Sequence, residues 1–148
     1  MYDYTALITD RTRADVDSGA KKGGYDYTDL NRVTAAMVDI HNRLTEYGYA
    51  TGYCPVMVAH QDGTSSTVWQ EDDEDIRADR IGEYFANVAA LRAVLTMPPS
   101  TPSAPADMDG LTHQEANDIE QILLDVDALI SNMEQAWHYS GDLYAGEV

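Results

Sequence analysis

The chain has 148 residues, a length that fits one domain, and 44% of them are hydrophobic, which is enough for a packed core. Its net charge of −17 is uneven, because residues 1–70 carry nine acids and six bases, whereas residues 71–148 carry seventeen acids and three bases. Such charge repels phosphate backbones and argues against direct nucleic-acid binding by this chain. The acidity indicates a solvated surface, an acidic face that docks on a basic partner, or a mimic of DNA.

A single cysteine, Cys54, excludes an intrachain disulfide and suits a reducing cytoplasm. The N-terminus MYDYTALITD lacks the basic and apolar regions of a secretory signal. No apolar run approaches the roughly 20 residues that span a bilayer. We therefore expect a soluble protein without a membrane partner, made and kept inside a cell until it joins an assembly.

Residues 1–27 are predicted to be an irregular N-terminal arm and linker, with one short helical turn starting near Thr9 and a glycine-rich end, SGAKKGGYDY. A first helix starts near Thr28, which is a candidate N-cap, and ends at Gly48. Its apolar stripe is Val33, Met37, Ile40 and Leu44. Residues 49–69 then predict a β-hairpin or two short edge strands around an Asp62-Gly63 turn, with β-prone runs at 56–58 and 67–69.

The second helix follows the acidic run 71–75 and is expected to stop at Pro98-Pro99. Its stripe is Ile81, Phe85, Val88 and Leu91 or Leu95. A stiff proline-rich connector covers residues 96–108. The third helix opens with a capping box from Thr112 to Glu115, and residues 138–148 are expected to form an extended C-terminal arm. Its stripe is Ile119, Leu123, Val126 and Ile130.

The expected fold is therefore mainly α: a three-helix bundle domain over residues 28–137, with a small β-hairpin between helices 1 and 2 and extended terminal arms. The three helix starts also share a pattern, in which Asn31, Asp79 and Asn117 each stand two places before a β-branched residue. This is either a threefold internal repeat or the common spacing of amphipathic helices. The three polar residues are expected to tie helix starts to neighbouring backbone.

The residues offer no convincing reaction chemistry. The acidic run at 71–75 lacks the glycine of a calcium loop, the four histidines are scattered, and Cys54 has no basic neighbour. We predict no catalytic residues, no metal site, no cofactor and no small-molecule substrate, so the chain is not expected to be an enzyme.

Aromatic residues at the two ends are the best candidates for binding a partner, because large aromatics supply much of the energy of protein interfaces. Either these ends fold back on the bundle or they reach a neighbouring subunit. The candidates are Tyr2, Tyr4, Tyr25, Tyr27, Trp137, Tyr139 and Tyr144.

Five stretches carry a resemblance: LITDRTRADVD, YDYTDLNRVTAAMVDIHNRL, IGEYFANVAALRAVL, LTHQEANDIEQILLDVDALI and WHYSGDLYAGE. Together they resemble small structural proteins of phages and prophages of gut-type Gram-positive bacteria. The resemblance implies a virion component associated with a tail, fibre or baseplate, assembled in the bacterial cytoplasm, that packs against other virion proteins and copies of itself. The alternative is an acidic inhibitor or DNA mimic that binds a nuclease or a DNA-binding host protein.

Overall fold

The computed structural model describes residues 2–73 and 79–146, and the side chains of residues 79 and 138–146 lie outside that description. The described chain is mainly helical with one small antiparallel sheet, as the sequence predicts. In chain order the elements are α1 (Arg13–Asp17), α2 (Tyr27–Glu46), β1 (Val58–Ala59), β2 (Ser65–Ser66), α3 (Asp79–Arg92) and α4 (His113–Gly146). Short 3-10 turns lie at Tyr4–Ala6 and Lys21–Gly23.

The helices α2, α3 and α4 contact one another in all three pairings. The expected apolar stripes are buried in one core, and of the two alternatives given for α3, Leu91 rather than Leu95 completes its stripe. Trp69, from the segment after the hairpin, is 1% exposed and joins this core. The spacing of apolar residues therefore located both the helices and their buried faces.

Two helix boundaries differ from the expected ones. The N-cap of α2 is Asp26 and not Thr28, because the Asp26 carboxylate accepts from the Thr28 N–H while Asp29 accepts from the Asp26 N–H in a capping box. Helix α3 ends at Arg92 rather than at the two prolines, where the Arg92 guanidinium donates to the carbonyls of Thr101 and Pro102. The proline-rich connector thereby lies against the end of α3.

The hairpin is present, but its strands are only two residues long. Val58 pairs with Ser66 and Ala59 with Ser65, and Gly63 takes the positive φ of +85° that the turn requires. The expected strand over 67–69 does not form, because the backbone of Trp69 is bonded to the Asn31 side chain instead of to another strand.

Of the two expected arms, the N-terminal one contains the predicted short helical turn and folds back on the helices, whereas the extended C-terminal one is wrong. In the N-terminal segment, α1 begins after Thr12, whose hydroxyl and Asp15 form a reciprocal capping box, and Tyr4 is buried. At the other end α4 remains helical through Gly146, so residues 138–146 are not an extended tail. Gly141 and Gly146 lie in this stretch, and a glycine costs a helix only about 1 kcal/mol relative to alanine.

Candidate partner-binding surface

The predicted aromatic residues at the N-terminus lie against the helices. Tyr4 is 8% exposed, its hydroxyl donates to the Asp39 carboxylate over 2.7 Å, and its ring packs edge-on against Tyr2 at 5.1 Å. Burial and the bond to Asp39 raise the pKa of Tyr4. The Tyr2 hydroxyl is buried without a hydrogen-bond partner among the described residues, and burial raises the pKa of Tyr2 as well. Tyr4 is therefore part of the buried core.

Tyr25 and Tyr27 lie at the start of α2. The hydroxyls of Tyr25 and the buried Tyr84 of α3 share a hydrogen bond, and burial raises the pKa of both groups. Tyr27 is half-buried against the same core. All four N-terminal tyrosines thus contact the helices, and whether any of them also binds a partner stays a prediction.

A buried ionic cluster explains why the N-terminal segment folds back. Glu120 of α4 is fully buried, and its carboxylate accepts from Arg11 at 2.6 Å and from Arg32 at 2.8 and 2.9 Å. It also accepts the Ile8 N–H at 3.0 Å. Asp29 completes the cluster, 3.1 Å from Arg11 and bonded to Arg32. Two cations therefore balance two anions, the arrangement that makes burial of charge tolerable.

The sequence reasoning missed Arg11 and Glu120. The available signal was that Glu120 stands four residues after Ala116 and three before Leu123, both on the apolar face of α4. A carboxylate at such a position must find a buried cation or lose its charge. The sequence does not show which arginine pairs with Glu120, since Arg11 lies 109 residues away.

Three asparagines, one on each long helix, fasten the intervening segments to the helices. Each side-chain amide accepts from the N–H and donates to the C=O of one residue, at distances between 2.8 and 3.0 Å. The pairs are Asn31 with Trp69, Asn87 with Cys54 and Asn117 with Arg11. The expected backbone ties of Asn31 and Asn117 are confirmed, Asn87 was not foreseen, and the Asp79 side chain lies outside the described residues.

A second ionic cluster joins the end of α2 to α4. Arg43 contacts Asp127 at 2.6 Å, Glu134 at 3.3 Å and Asp39 at 3.5 Å. Contacts run in the same order along the two helices, with Arg32 beside Glu120 and Arg43 beside Asp127 and Glu134. Helices α2 and α4 are therefore parallel, and their C-terminal ends point the same way.

Helix α4 continues past its partner. Among its described side chains, up to Trp137, the last fully buried one is that of Ile130. Trp137 is 47% exposed, with its ring 4.6 Å from that of Tyr47, the C-cap of α2. Helix α4 runs nine residues beyond Trp137, about 14 Å at 1.5 Å per residue. Tyr139 and Tyr144 lie in this stretch, and their side chains are outside the described residues. Of the aromatic residues predicted to bind a partner and described with side chains, Trp137 is the one classed as exposed, at 47%.

The charge in the C-terminal part of the sequence has one sign. The sequence contains no lysine or arginine after Arg92, whereas ten aspartates and glutamates follow it. The arginines that neutralise Glu120, Asp127 and Glu134 come from the N-terminal segment and α2. The last turn of α4 carries no basic residue to offset the negative end of its helix dipole.

A connected Asp–His–Ser arrangement lies at the hairpin. His60 is buried, with Nδ1 3.0 Å from a carboxylate oxygen of Asp73 and Nε2 2.7 Å from the hydroxyl of Ser66. The same order of groups activates the nucleophile of serine hydrolases. Here Asp73 also accepts the Gln70 N–H at 2.6 Å, and the Ser66 hydroxyl accepts the Val68 N–H at 3.3 Å. These bonds give the arrangement a structural role, which is to hold the hairpin against the turn at 70–73.

Among the described residues, no group of three or more histidines, cysteines, aspartates or glutamates is placed to hold a metal ion. Within the described ranges, no helix combines the length and apolar composition needed to cross a membrane. No protein-family model matches the sequence, and no significant match was found among curated proteins or solved structures.

Proposed function

We propose that this chain is a structural component of a phage or phage-like particle, associated with its tail, fibre or baseplate. In this proposal it acts by packing against other virion proteins and copies of itself, and not as an enzyme. The five sequence stretches from LITDRTRADVD to WHYSGDLYAGE support this class of protein. The chain is assembled in the bacterial cytoplasm and kept in the virion, with α2, α3 and α4 as a three-helix bundle.

The observation that carries the proposal is the extension of α4 beyond the residues it packs against. Helix α4 has 34 residues and α2 has 20, and the last fully buried side chain among those described in α4 is that of Ile130. A helix that leaves its own core and presents a half-exposed tryptophan is suited to burial against another protein. The proposal assigns this role to the end of the chain that holds Trp137, Tyr139 and Tyr144.

The rest of the chain supports a fixed scaffold for this end. The Arg11–Glu120 cluster and the three asparagine ties hold the N-terminal segment and the two loops to the helices. A scaffold already ordered loses little conformational entropy when it docks, which favours assembly. Acidic surfaces on such a scaffold improve specificity and encounter rate with basic partners more than affinity.

Quantitative mass spectrometry of purified particles tests the proposal. We expect the chain at a fixed stoichiometry in mature virions of the phage or prophage that encodes it. The Trp137→Ala chain should be incorporated less than the wild type, whereas Val68→Ala, which alters another exposed apolar residue, should be incorporated normally. The absence of the wild-type chain from mature particles would contradict the proposal.

The charge distribution favours a second candidate function, an acidic inhibitor or DNA mimic. Ten acids and no lysine or arginine follow Arg92. Glu120 is buried, and Asp127 and Glu134 are paired with Arg43, but the excess of negative charge attracts proteins that bind phosphate backbones. Such a mimic should capture a nuclease or DNA-binding protein from host lysate. Double-stranded DNA should compete for the captured protein, and binding should fall steeply with salt. Retention of the captured protein at high salt would count against this function.

A further inference from the structure

We propose that the part of α4 beyond Ile130 docks an α-helix of another protein, whose apolar stripe is flanked by lysine and arginine. This inference rests on the proposed function, because it names the chemistry of the partner that the projecting end of α4 would meet in the particle. It commits to a basic amphipathic helix rather than to a second copy of this chain.

The apolar seam of α4 continues without a break past the core. Ile119, Leu123, Val126 and Ile130 are buried at spacings of four, three and four residues. Met133 and Trp137 follow at spacings of three and four, but Met133 is only half-buried and Trp137 is 47% exposed. Alternating spacings of three and four are those of a seam between packed helices. The seam therefore extends beyond the helix that covers it.

The covering helix stops where the seam becomes exposed. Helix α2 ends at Glu46, Tyr47 stacks edge-on against Trp137, and the φ of +89° at Gly48 turns the chain away. A partner helix laid along α4 beyond this point would continue the α2–α4 interface and cover the exposed face of Trp137. Helix-in-groove recognition uses apolar anchors at this kind of spacing.

The negative charge of this surface favours a basic partner helix. The rim of this surface carries the exposed Glu46 and also Glu134, which is already paired with Arg43. The sequence of α4 has no lysine or arginine, and the C-terminal end of a helix is negative. A basic helix neutralises Glu46 and the negative helix end on docking. A second copy would instead bring another −17 and a second row of carboxylates to the same place.

Three synthetic helical peptides provide the test with the full-length chain. The first has a leucine stripe flanked by lysine and arginine, the second has glutamate at the flanking positions, and the third keeps the basic residues but has serine in the stripe. Tryptophan fluorescence reports binding at the proposed surface, because Trp69 is 1% exposed and Trp137 is 47% exposed. We expect the first peptide alone to bind and to shield Trp137 from a soluble quencher.

Substitutions at Trp137 and Met133 test whether the peptide binds at the proposed surface of α4. Trp137→Ala should weaken binding of the first peptide about tenfold or more, as for a central aromatic anchor, with Met133→Ala as a second variant at the same seam. For these variants, binding is followed by calorimetry and folding by circular dichroism. The matched control is Val68→Ala, since Val68 is 55% exposed near the hairpin, and it should bind like the wild type.

Three results would overturn the inference. These are equal binding by the seam variants and the Val68 variant, binding of the glutamate-flanked or serine-stripe peptide as tight as that of the first peptide, or a dimer in sedimentation velocity that shields Trp137. The outcome is separable from that of the proposed function. If the chain binds the first peptide but is absent from virions, only the phage role is refuted. If the chain is present in virions but does not bind the peptide, only this inference is refuted.

Discussion

Replacing Glu120 with glutamine tests whether the buried ionic cluster holds the N-terminal segment on the helices. The substitution keeps the size and shape of the side chain but removes its charge. Arg11 and Arg32 would then share one carboxylate, that of Asp29, where they now share two. The cluster would change from neutral to a net charge of +1 in a site where the Arg11 side chain is 1% exposed.

The expected cost follows from the burial. Removing one partner of a buried ion pair costs about 3–5 kcal/mol, because the remaining charge stays in a low-dielectric site. Asp29 still neutralises one arginine and the glutamine amide retains one acceptor oxygen, so we expect a value near the lower limit, about 3 kcal/mol. This is a large fraction of the about 5–15 kcal/mol by which single domains are stable.

Urea unfolding followed by circular dichroism measures this cost, with Glu83→Gln as the control. Glu83 forms an exposed pair with Arg80, with side chains 52% and 47% exposed, so its loss should cost no more than about 1 kcal/mol. The amide of Ile8, which donates to Glu120, should also exchange its hydrogen faster in Glu120→Gln. A Glu120→Gln protein as stable as the Glu83→Gln protein would refute the assigned role of the cluster.

Three further predictions concern the core, the backbone and the hairpin. Above pH of about 10 the tyrosines of the unfolded chain ionise, whereas burial raises the pKa of Tyr25 and Tyr84 and keeps both hydroxyls protonated in the folded chain. The free energy of unfolding is therefore unchanged below that pH and falls above it, by up to about 1.4 kcal/mol per pH unit for each of the two tyrosines. Urea midpoints across this range check it, and a flat profile would contradict it. Gly63→Ala should lower the free energy of unfolding by about 1 kcal/mol, because Gly63 has a φ of +85°. Gly82→Ala in α3 should raise it by up to about 1 kcal/mol, because an added Cβ there meets nothing within 4 Å. Thermal melts of the two variants compare these effects, and equal shifts would show the backbone argument to be wrong. A fluorophosphonate probe should leave Ser66 unlabelled if its bonds to His60 and Val68 are structural, and covalent labelling seen by mass spectrometry would instead reveal a reactive serine.

The periodicity of apolar residues was sufficient to predict the helical part of the fold. Val33, Ile81 and Ile119 each begin a stripe that is buried in the structure, because an amphipathic helix must bury its apolar face. Capping chemistry placed the start of α4 at Thr112, whose side chain and that of Glu115 bond as a capping box requires. At α2 both Asp26 and Thr28 can cap, and the local sequence does not decide between them.

The sequence left open whether the N-terminal segment folds back on the bundle, and the reason is physical. What orders the N-terminal segment is the contact of Arg11 with Glu120 and of Tyr4 with Asp39, which join residues 109 and 35 positions apart. Composition reports local preference, and tertiary contacts of this kind override it. The half-exposed Trp137 was recognised as an aromatic candidate, but only the end of α2 beside it shows where the surface begins.

Hydroxyl-radical footprinting of Trp137, in the free chain and in purified particles, tests the central claim most directly. The account predicts that Trp137, 47% exposed in the free chain, is oxidised much more slowly in the particle, while the buried Tyr4 is equally protected in both. Equal oxidation of Trp137 in the two samples, or new protection confined to the N-terminal segment, would contradict it.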